Sequence, residues 1–328
     1  MRRIFVRLAA FGLVLAAAWE GLRLYDRPPV SPGAWLQAAG LEASYETVDG
    51  HRLRYVRAGR GDAVMLVHGF ASSLYTWKDV IPGLARRHDV IALDLPGFGG
   101  SDQPEDLAFE DLPRAVVGLM ERLGVRRAAL VGNSMGGAAV ALVAARSPTR
   151  VSALVLVDAA GFDLEVSKRP PVVRLAMSPA AGLLALVPGK RLIVEASLRQ
   201  VLHDDTLVTP ERVSEYLAAF LRTSTFVSIR SLSGSLERGS GMVAEALPRI
   251  AAPTLVLWGR QDRWIPLAHA DRFVAKIRGA RKVVLDACGH VPQEERPDEV
   301  RRLLEEFLQA PLPAAPPRGD PRANADRG

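Results

Sequence analysis

The most informative stretch of the sequence is Ala128-Ala129-Leu130-Val131-Gly132-Asn133-Ser134-Met135-Gly136-Gly137. Its apolar beginning is typical of a strand buried on both faces of a sheet. The glycines around Ser134 fit G-x-S-x-G, which allows a sharp turn from that strand into the helix predicted at 135–146. Such a turn holds the hydroxyl of Ser134 at the edge of the sheet, beside the free N–H groups and positive end of a helix. The stretch therefore predicts a serine nucleophile.

Apolar runs of the same kind recur on both sides of this stretch and alternate with helical segments. Asp49-Gly50, between the segments 44–49 and 52–58, is a two-residue hairpin signal. The alternation predicts an α/β fold with a mostly parallel central sheet and helices on both faces. Buried strands are predicted at 63–67, 90–93, 128–131, 153–157, 254–258 and 282–285, and helices near 74–87, 109–123, 135–146, 266–277 and 297–309.

The alternation stops between about 162 and 248, where helical segments and several prolines replace the strands. We interpret this stretch as a helical cap inserted between two strands of the core. Its apolar segments serve either to pack the cap on the core or to admit an acyl chain. The predicted units are a hydrophobic N-terminal signal or anchor segment at 1–27, the first part of the core at 28–161, the cap at 162–248, the second part of the core at 249–309, and a disordered tail at 310–328.

The N-terminus begins with Arg2, Arg3 and Arg7, followed by an uncharged run from Leu8 to Trp19. A basic start before an apolar run fits a secretory signal or a membrane anchor. The positive charge before the run predicts that the N-terminus stays inside and that the catalytic domain is exported or anchored outside the cytoplasm. The alternative is a cytoplasmic protein whose N-terminal helix packs on the soluble domain.

Composition and charge exclude several classes of protein. The net charge is +6, and half of it comes from residues 1–27, which hold five arginines against Glu20 and Asp26. Because the core carries no compact basic stripe, we expect no nucleic-acid partner. The single cysteine, Cys288, permits no intrachain disulfide, and we interpret it as a small side chain near a strand end. No metal-ligand cluster has convincing spacing, so we expect no metal and no organic cofactor.

A serine hydroxyl needs a general base and an acid that orients the base. His290 follows the last predicted strand, and Asp262 follows the strand before it, so the chain order is Ser134, Asp262, His290. We predict His290 as the base and Asp262 as the acid. Asp158, at the end of the strand that follows the nucleophile helix, is a rival acid.

The negative oxygen of a tetrahedral intermediate requires two N–H donors. The amide of Met135, directly after the nucleophile, is one candidate, and the amide of Phe70 in His68-Gly69-Phe70 is the other. Gly69 lets the backbone approach a substrate closely. We expect His68 to have a structural role in this loop.

Together these motifs resemble the α/β-hydrolase superfamily over about residues 43–308. The resemblance implies the α/β-hydrolase fold with an inserted cap and catalysis by Ser134, Asp262 and His290. The blocks that carry it are His68-Gly69-Phe70, Asp94-Leu95-Pro96-Gly97-Phe98-Gly99-Gly100-Ser101, Gly132 to Gly137, Trp258-Gly259-Arg260-Gln261-Asp262, and His290-Val291-Pro292-Gln293-Glu294-Glu295-Arg296-Pro297.

Within the superfamily the chain is similar to the membrane-associated monoacylglycerol lipases and bacterial lipases and esterases, which share a hydrophobic N-terminus. The Asn-Ser-Met-Gly-Gly elbow also resembles that of meta-cleavage product hydrolases, which cleave carbon–carbon bonds. Those enzymes usually have a more Gly-rich loop and an aromatic residue after the histidine, where this chain has Phe70-Ala71-Ser72-Ser73 and Val291. We therefore expect a hydrolase of small-molecule or lipid-like carboxylic esters, with membrane association through the N-terminus. The alternatives are carbon–carbon hydrolysis, amide hydrolysis or acyl transfer by the same residues, and a non-catalytic ligand-binding protein on this fold.

Overall fold

A computed structural model of the chain describes residues 2–163, 174, 178, 188–220 and 222–309. The predicted disordered tail at 310–328 lies outside these residues, as does most of the predicted cap before residue 188.

The described residues form one eight-stranded sheet in the order β1-β2-β4-β3-β5-β6-β7-β8. Strands β3 to β8 run parallel to one another, and the pairs β1–β2 and β2–β4 are antiparallel. The predicted mostly parallel sheet is confirmed. The strands are β1 Ser44–Val48, β2 His51–Ala58, β3 Asp62–Val67, β4 His88–Leu93, β5 Ala128–Asn133, β6 Val151–Val157, β7 Thr254–Gly259 and β8 Arg281–Leu285.

The hairpin between β1 and β2 has the predicted two-residue turn. Val48 pairs with His51, and the turn residues Asp49 and Gly50 have φ values of 50° and 84°. Two consecutive positive φ angles match the right-handed twist of the strands, which explains the Asp-Gly sequence.

Helices cover both faces of the sheet. Successive residues of a strand point to opposite faces, so a buried strand contributes apolar side chains to both sides. Along β3, Met65 and Val67 join one apolar cluster, while Val64 and Leu66 join the other. The helices are α1 Arg2–Tyr25, α2 Ala34–Ala38, α3 Ile81–Leu84, α4 Asp111–Arg122, α5 Met135–Arg146, α6 Lys190–Val201, α7 Pro210–Phe220, α8 Thr223–Ser233, α9 Leu236–Ala246, α10 Ala268–Lys276, α11 Pro292–Glu295 and α12 Pro297–Gln309.

Helices α6 to α9 fill the part of the chain between β6 and β7 that the structure describes. Apolar side chains of α6 and α7, among them Leu198 and Leu217, form a separate cluster that includes Val291 of the core. The cap helices are therefore packed directly against the residue that follows His290.

Helix α1 is attached to the cap by its C-terminal end. The carboxylate of Asp26 accepts hydrogen bonds from the backbone N–H groups of Gly189 and Arg191, at 2.8 and 2.9 Å. The Tyr25 hydroxyl donates to Glu195 of α6 at 2.9 Å. Among the residues that the structure describes, no helix has both the length and the apolar character to cross a membrane.

Candidate active site

Ser134 occupies the turn between β5 and α5 with φ 52° and ψ −119°. A side chain other than glycine is strained at positive φ, so the turn must be held by its surroundings. The Ser134 N–H donates to the Val157 carbonyl at 2.9 Å, and the Ser134 carbonyl accepts from Ala160 at 2.9 Å. Val157 at the end of β6 and Ala160 in the loop after it therefore fix the serine backbone on both sides.

The two glycines of the motif allow close packing between β5, α5 and β3. A Cβ on Gly132 would meet the backbone of Gly136, and a Cβ on Gly136 would meet the carbonyl oxygens of His68 and Val67. Only hydrogen fits at these contacts, so helix α5 can begin directly above the loop that follows β3.

Asn133 connects the serine turn to the histidine loop. Its side-chain Nδ2 donates to the carbonyl oxygens of Val157 and His290, both at 3.1 Å. The residue before Ser134 is thereby bonded to the backbone of His290, which lies 157 positions away in the sequence.

His290 and Asp262 are in direct contact. Nδ1 of His290 lies 2.8 Å from Oδ2 of Asp262, and both side chains are buried. Oδ1 of Asp262 accepts backbone N–H bonds from Trp264 at 2.7 Å and Ile265 at 3.0 Å. Every oxygen of this carboxylate is thus engaged, which fixes the plane of the carboxylate and, through it, the orientation of the imidazole ring.

Two further contacts with His290 were not predicted from the sequence. The indole of Trp264 stacks on the imidazole with ring centroids 5.4 Å apart and planes 28° apart. The His290 N–H donates to the carbonyl of Val201, the last residue of α6, at 2.8 Å. The position of Trp264 two residues after Asp262 is a signal that could have identified it.

The loop after β3 lies against the serine turn. A Cβ on Gly69 would be 3.0 Å from the Ser134 Cβ and 3.1 Å from the Asn133 Oδ1. His68 holds this loop in place, because its Nε2 accepts from the Leu95 N–H at 3.0 Å while its Nδ1 lies 2.7 Å from the Gly69 carbonyl. Burial lowers the pKa of His68, which favours the neutral ring.

The two residues predicted to supply the oxyanion donors directly follow the residues of this contact in the sequence: Phe70 follows Gly69, and Met135 follows Ser134. The ring of Phe70 packs edge-on against Phe98 with centroids 5.8 Å apart. Met135 begins α5, and the bond from Ala138 N–H to the Ser134 carbonyl is the first of its helical ladder. The Met135 N–H therefore belongs to the first helical turn, where amides have no acceptor within the helix.

Asp158, the rival acid, lies beside Asp262 and His290. One side-chain nitrogen or oxygen atom from each of the three residues lies within 4.8 Å of the corresponding atoms of the other two. Its Oδ1 accepts from the Gly259 N–H at 3.0 Å. Burial, followed by the charge of Asp262, raises the pKa of Asp158 well above its usual value.

Among the described residues, Asp158, Asp262 and His290 are also the group whose spacing could hold a cation. However, His290 Nδ1 and both oxygens of Asp262 are already used in hydrogen bonds. A metal ion would have to displace these bonds, so the donor set fits proton transfer better than metal binding.

A buried ion pair that was not predicted from the sequence joins the cap to the histidine loop. Nε of Arg212 on α7 lies 2.7 Å from Oε2 of Glu294 on α11. Oε1 of Glu294 accepts from the Thr76 hydroxyl at 2.6 Å and from the Tyr216 hydroxyl. Glu294 therefore ties the cap helix α7 to the segment that begins at His290.

Glu295 forms a second attachment between the cap and this loop. Its carboxylate accepts from the Gly289 N–H at 2.8 Å and from the His203 N–H at 2.7 Å. Burial raises the pKa of Glu295, although these backbone bonds and a third, from Val291, oppose the shift.

Comparisons with known proteins agree with this geometry. The model of a family described as alpha/beta hydrolase fold matches residues 62–297. A curated but uncharacterized hydrolase of Bacillus subtilis, YugF, is 32% identical over 286 residues, covering 85% of this chain and 99% of that protein. A 2-hydroxy-6-oxo-6-phenylhexa-2,4-dienoate hydrolase of Comamonas testosteroni is 34% identical over 274 residues, covering 78% of this chain and 91% of that protein.

A solved structure of a membrane phospholipase A, described as a bacterial virulence factor, superimposes with a TM-score of 0.69 at 26% identity. The match covers 94% of this chain and 98% of that one. Fold, sequence relatives and family match lead to one conclusion: the chain belongs to the alpha/beta hydrolase family and is a hydrolase.

Proposed function

We propose that the protein is a serine hydrolase that cleaves carboxylic esters, with Ser134 as nucleophile, His290 as general base and Asp262 as the orienting acid. The observation that carries this proposal is the bond from Asn133 Nδ2 to the His290 carbonyl. It joins the nucleophile turn to the loop whose imidazole is bonded to Asp262. Three residues from distant parts of the chain thus lie on adjoining loops at one edge of the sheet.

The proposed reaction proceeds in two halves. Nε2 of His290 accepts the Ser134 proton as the hydroxyl oxygen attacks the ester carbonyl carbon. The resulting imidazolium, stabilised by Asp262, gives its proton to the leaving alcohol as the acyl-enzyme forms. In the second half, His290 takes a proton from water, the hydroxide attacks the acyl carbon, and Ser134 leaves with that proton.

The oxyanion in each half is proposed to accept N–H bonds from Phe70 and Met135. The contact between Gly69 and the Ser134 side chain supports this assignment, since it brings the two loops together. The low exposure of Ser134, at 8%, supports a site from which the cap largely excludes water. Backbone donors stabilise negative charge more strongly in such a site than in water.

The pairing of Arg212 leaves this buried cation unavailable to an acidic dienoate, which supports the ester proposal. Cleavage of a dienoate calls for a free cation in the cap that can bind the substrate carboxylate. Arg212 is the buried cationic side chain of the described cap residues, and its guanidinium is paired with Glu294. An uncharged ester makes no such demand on the cap.

We infer further that the substrate carries an apolar acyl chain, and two observations support this inference. Leu13, Val14 and Trp19 of α1 are exposed, with Leu13 at 73% and Val14 at 64%. The structural match to the membrane phospholipase A covers 94% of this chain, whereas the structural match to a meta-cleavage product hydrolase covers 81%. Both observations support a lipid-like ester.

Carbon–carbon hydrolysis is the second candidate, and one observation favours it. The dienoate hydrolase of Comamonas testosteroni is 34% identical to this chain over 274 residues. The same serine, histidine and aspartate would serve that reaction, so only the substrate pocket separates the two proposals.

The decisive experiment compares nitrophenyl esters of graded acyl length with 2-hydroxy-6-oxo-6-phenylhexa-2,4-dienoate, using the full chain and its Ser134→Ala variant. We expect kcat/KM to peak at a medium or long acyl chain and to fall by at least about 10³-fold in Ser134→Ala. Cleavage of the dienoate without ester turnover would establish the second candidate. If neither substrate reacts and a fluorophosphonate fails to label Ser134, the protein is a binding protein on this fold.

We propose also that the protein is exported or anchored with its catalytic domain outside the cytoplasm. The arginines of the N-terminus and the exposed apolar side chains of α1 support this location. Protease treatment of intact cells should digest the catalytic domain only when it lies outside. Full protection in intact cells and digestion after lysis would favour the cytoplasmic alternative.

A further inference from the structure

The buried carboxyl group of Asp158 has one oxygen without a hydrogen-bond donor. The side chain is fully buried at the end of β6, and the backbone has φ 43°. Oδ1 accepts from the Gly259 N–H, whereas Oδ2 meets no donor among the residues that the structure describes. A buried carboxylate oxygen without a donor is strongly unfavourable, so the group must be held in another protonation state.

The neighbour of Asp158 is the carboxylate of Asp262, which already accepts three hydrogen bonds and can accept a fourth. Two backbone N–H groups and the imidazole of His290 bind its oxygens. Two carboxyl groups in one buried pocket cannot both be ionised, and the one with more donors keeps the charge. The proton therefore resides on Asp158. The raised pKa of Asp158, caused first by burial and then by Asp262, agrees with this assignment.

Among the described residues, Arg272 is the permanent cation of this cluster, but it lies over the Phe162 ring and forms no ion pair with Asp158 or Asp262. Cys288 lies on the loop after β8 and Glu295 lies on α11. Burial and the charge of Glu295 both raise the pKa of Asp158 and that of Cys288. Helix α10 presents His269, whose pKa is lowered first by burial and then by Arg272. The groups that face the pair are His290, Glu295, Cys288, His269 and Arg272.

We propose that Asp158 is a positioning residue whose protonated carboxyl donates a hydrogen bond from Oδ2 to the carboxylate of Asp262. The two side chains then carry a single negative charge, shared between them, beside the imidazole. This inference rests on the proposed function, because it assigns Asp158 a role through the acid that orients His290. Sharing the charge weakens the attraction of Asp262 for the imidazolium, which keeps the base uncharged to lower pH.

Three variants test the proposal by kinetics. Asn at 158 keeps the shape, can donate Nδ2–H to Asp262 and can accept from Gly259. We expect Asp158→Asn to keep kcat/KM within about threefold and to leave the acid limb of the pH profile in place. Asp158→Leu removes the donor, and the acid limb should move upward by at least about half a pH unit. Asp262→Asn should lose about 10⁴-fold in kcat.

Two results would overturn the proposal. A loss of more than about 100-fold in Asp158→Asn would identify an ionised Asp158 as the orienting acid. An unchanged acid limb in a folded Asp158→Leu variant would show that Asp158 does not act on His290.

An infrared difference spectrum tests the protonation state without any substrate. The spectrum of the full chain minus that of Asp158→Asn should contain the carbonyl band of a protonated carboxylic acid at neutral pH. Absence of that band overturns the proposal even if the ester reaction is found. If the band is present but no ester is hydrolysed, the result supports the acid pair and rejects the proposed function. Failure of the Asp158 proposal and failure of the proposed function are therefore distinguishable.

Discussion

The guanidinium of Arg212 lies 2.7 Å from the carboxylate of Glu294, and the two side chains are 7% and 4% exposed. The pair connects cap helix α7 to α11, four residues beyond His290. Removing one partner of a buried ion pair leaves an uncompensated charge in a medium that solvates it poorly.

Arg212→Ala should therefore lower the free energy of unfolding by about 3–5 kcal/mol. Adding Glu294→Gln to that variant should recover part of the loss, because no unpaired charge remains. Urea denaturation measures both effects. Arg302→Ala is the control, since the pair of Arg302 with Glu306 is exposed and should change stability by no more than about 0.5 kcal/mol. Equal losses in the two arginine variants would contradict the prediction.

Trp264 should influence turnover through the imidazole on which it stacks. An aromatic pair contributes about 0.5–1.5 kcal/mol, so Trp264→Leu should lower kcat/KM by up to about tenfold. Trp264→Phe keeps a ring and should lose less. The measurement is ester hydrolysis under identical conditions for both variants. A Phe variant as impaired as the Leu variant would mean that stacking is not what the indole contributes.

Gly136 should tolerate no side chain. A Cβ there would meet the backbone carbonyl oxygens of Val67 and His68, which cannot move aside, and the strain should lower stability by about 1–3 kcal/mol. Gly241→Ala is the matched control within another helix, α9, because nothing lies within 4 Å of its Cβ. That variant should gain about 0.5–1 kcal/mol. Thermal unfolding of both variants checks the contrast, and a stable Gly136→Ala protein would refute the close packing.

The proton on Asp158 should make stability depend on pH. Because the folded-state pKa is raised above the usual 3.8, the native protein keeps a proton that the unfolded chain releases. Above about pH 5 the stability of the native protein should fall by about 1.4 kcal/mol per pH unit relative to Asp158→Asn, until the pH passes the folded-state pKa. Urea denaturation of both proteins between about pH 5 and 8 measures this difference. A difference that stays constant with pH would contradict the prediction.

Cys288 should be chemically silent in the folded protein. The thiol is fully buried, and burial raises its pKa, so little thiolate forms at neutral pH. The native protein should react with less than one equivalent of a thiol reagent over hours. The denatured protein should react with one equivalent. Rapid stoichiometric labelling of the native state would contradict this prediction.

The sequence was sufficient for the sheet because each buried strand is a local apolar run. The predicted strand at 254–258 corresponds to β7 at Thr254–Gly259, and the predicted helix at 297–309 has the observed bounds of α12. The helix predicted near 74–87 is wrong in its extent. The structure has a short 3-10 turn at Leu74–Trp77 and a separate α3 at Ile81–Leu84. Pro82 lacks an N–H and therefore favours a new helix start rather than continuation of a preceding turn.

The candidate site was only partly predictable from the sequence. The order of Ser134, Asp262 and His290 follows from strand ends, which meet at one edge of a parallel sheet. The Arg212–Glu294 pair joins residues 82 positions apart, and its formation depends on how the cap packs. The protonation of Asp158 likewise depends on a neighbour from the next strand. No local pattern encodes either contact, so both required the folded chain.

The bond between the Val201 carbonyl and the His290 amide links substrate admission to the chemistry. A shift of helix α6 large enough to widen a passage under the cap must break this bond or pull the imidazole with it. If His290 is the proposed base, such a shift removes one of the contacts that hold its backbone, while the bonds to Asn133 and Asp262 of the core remain.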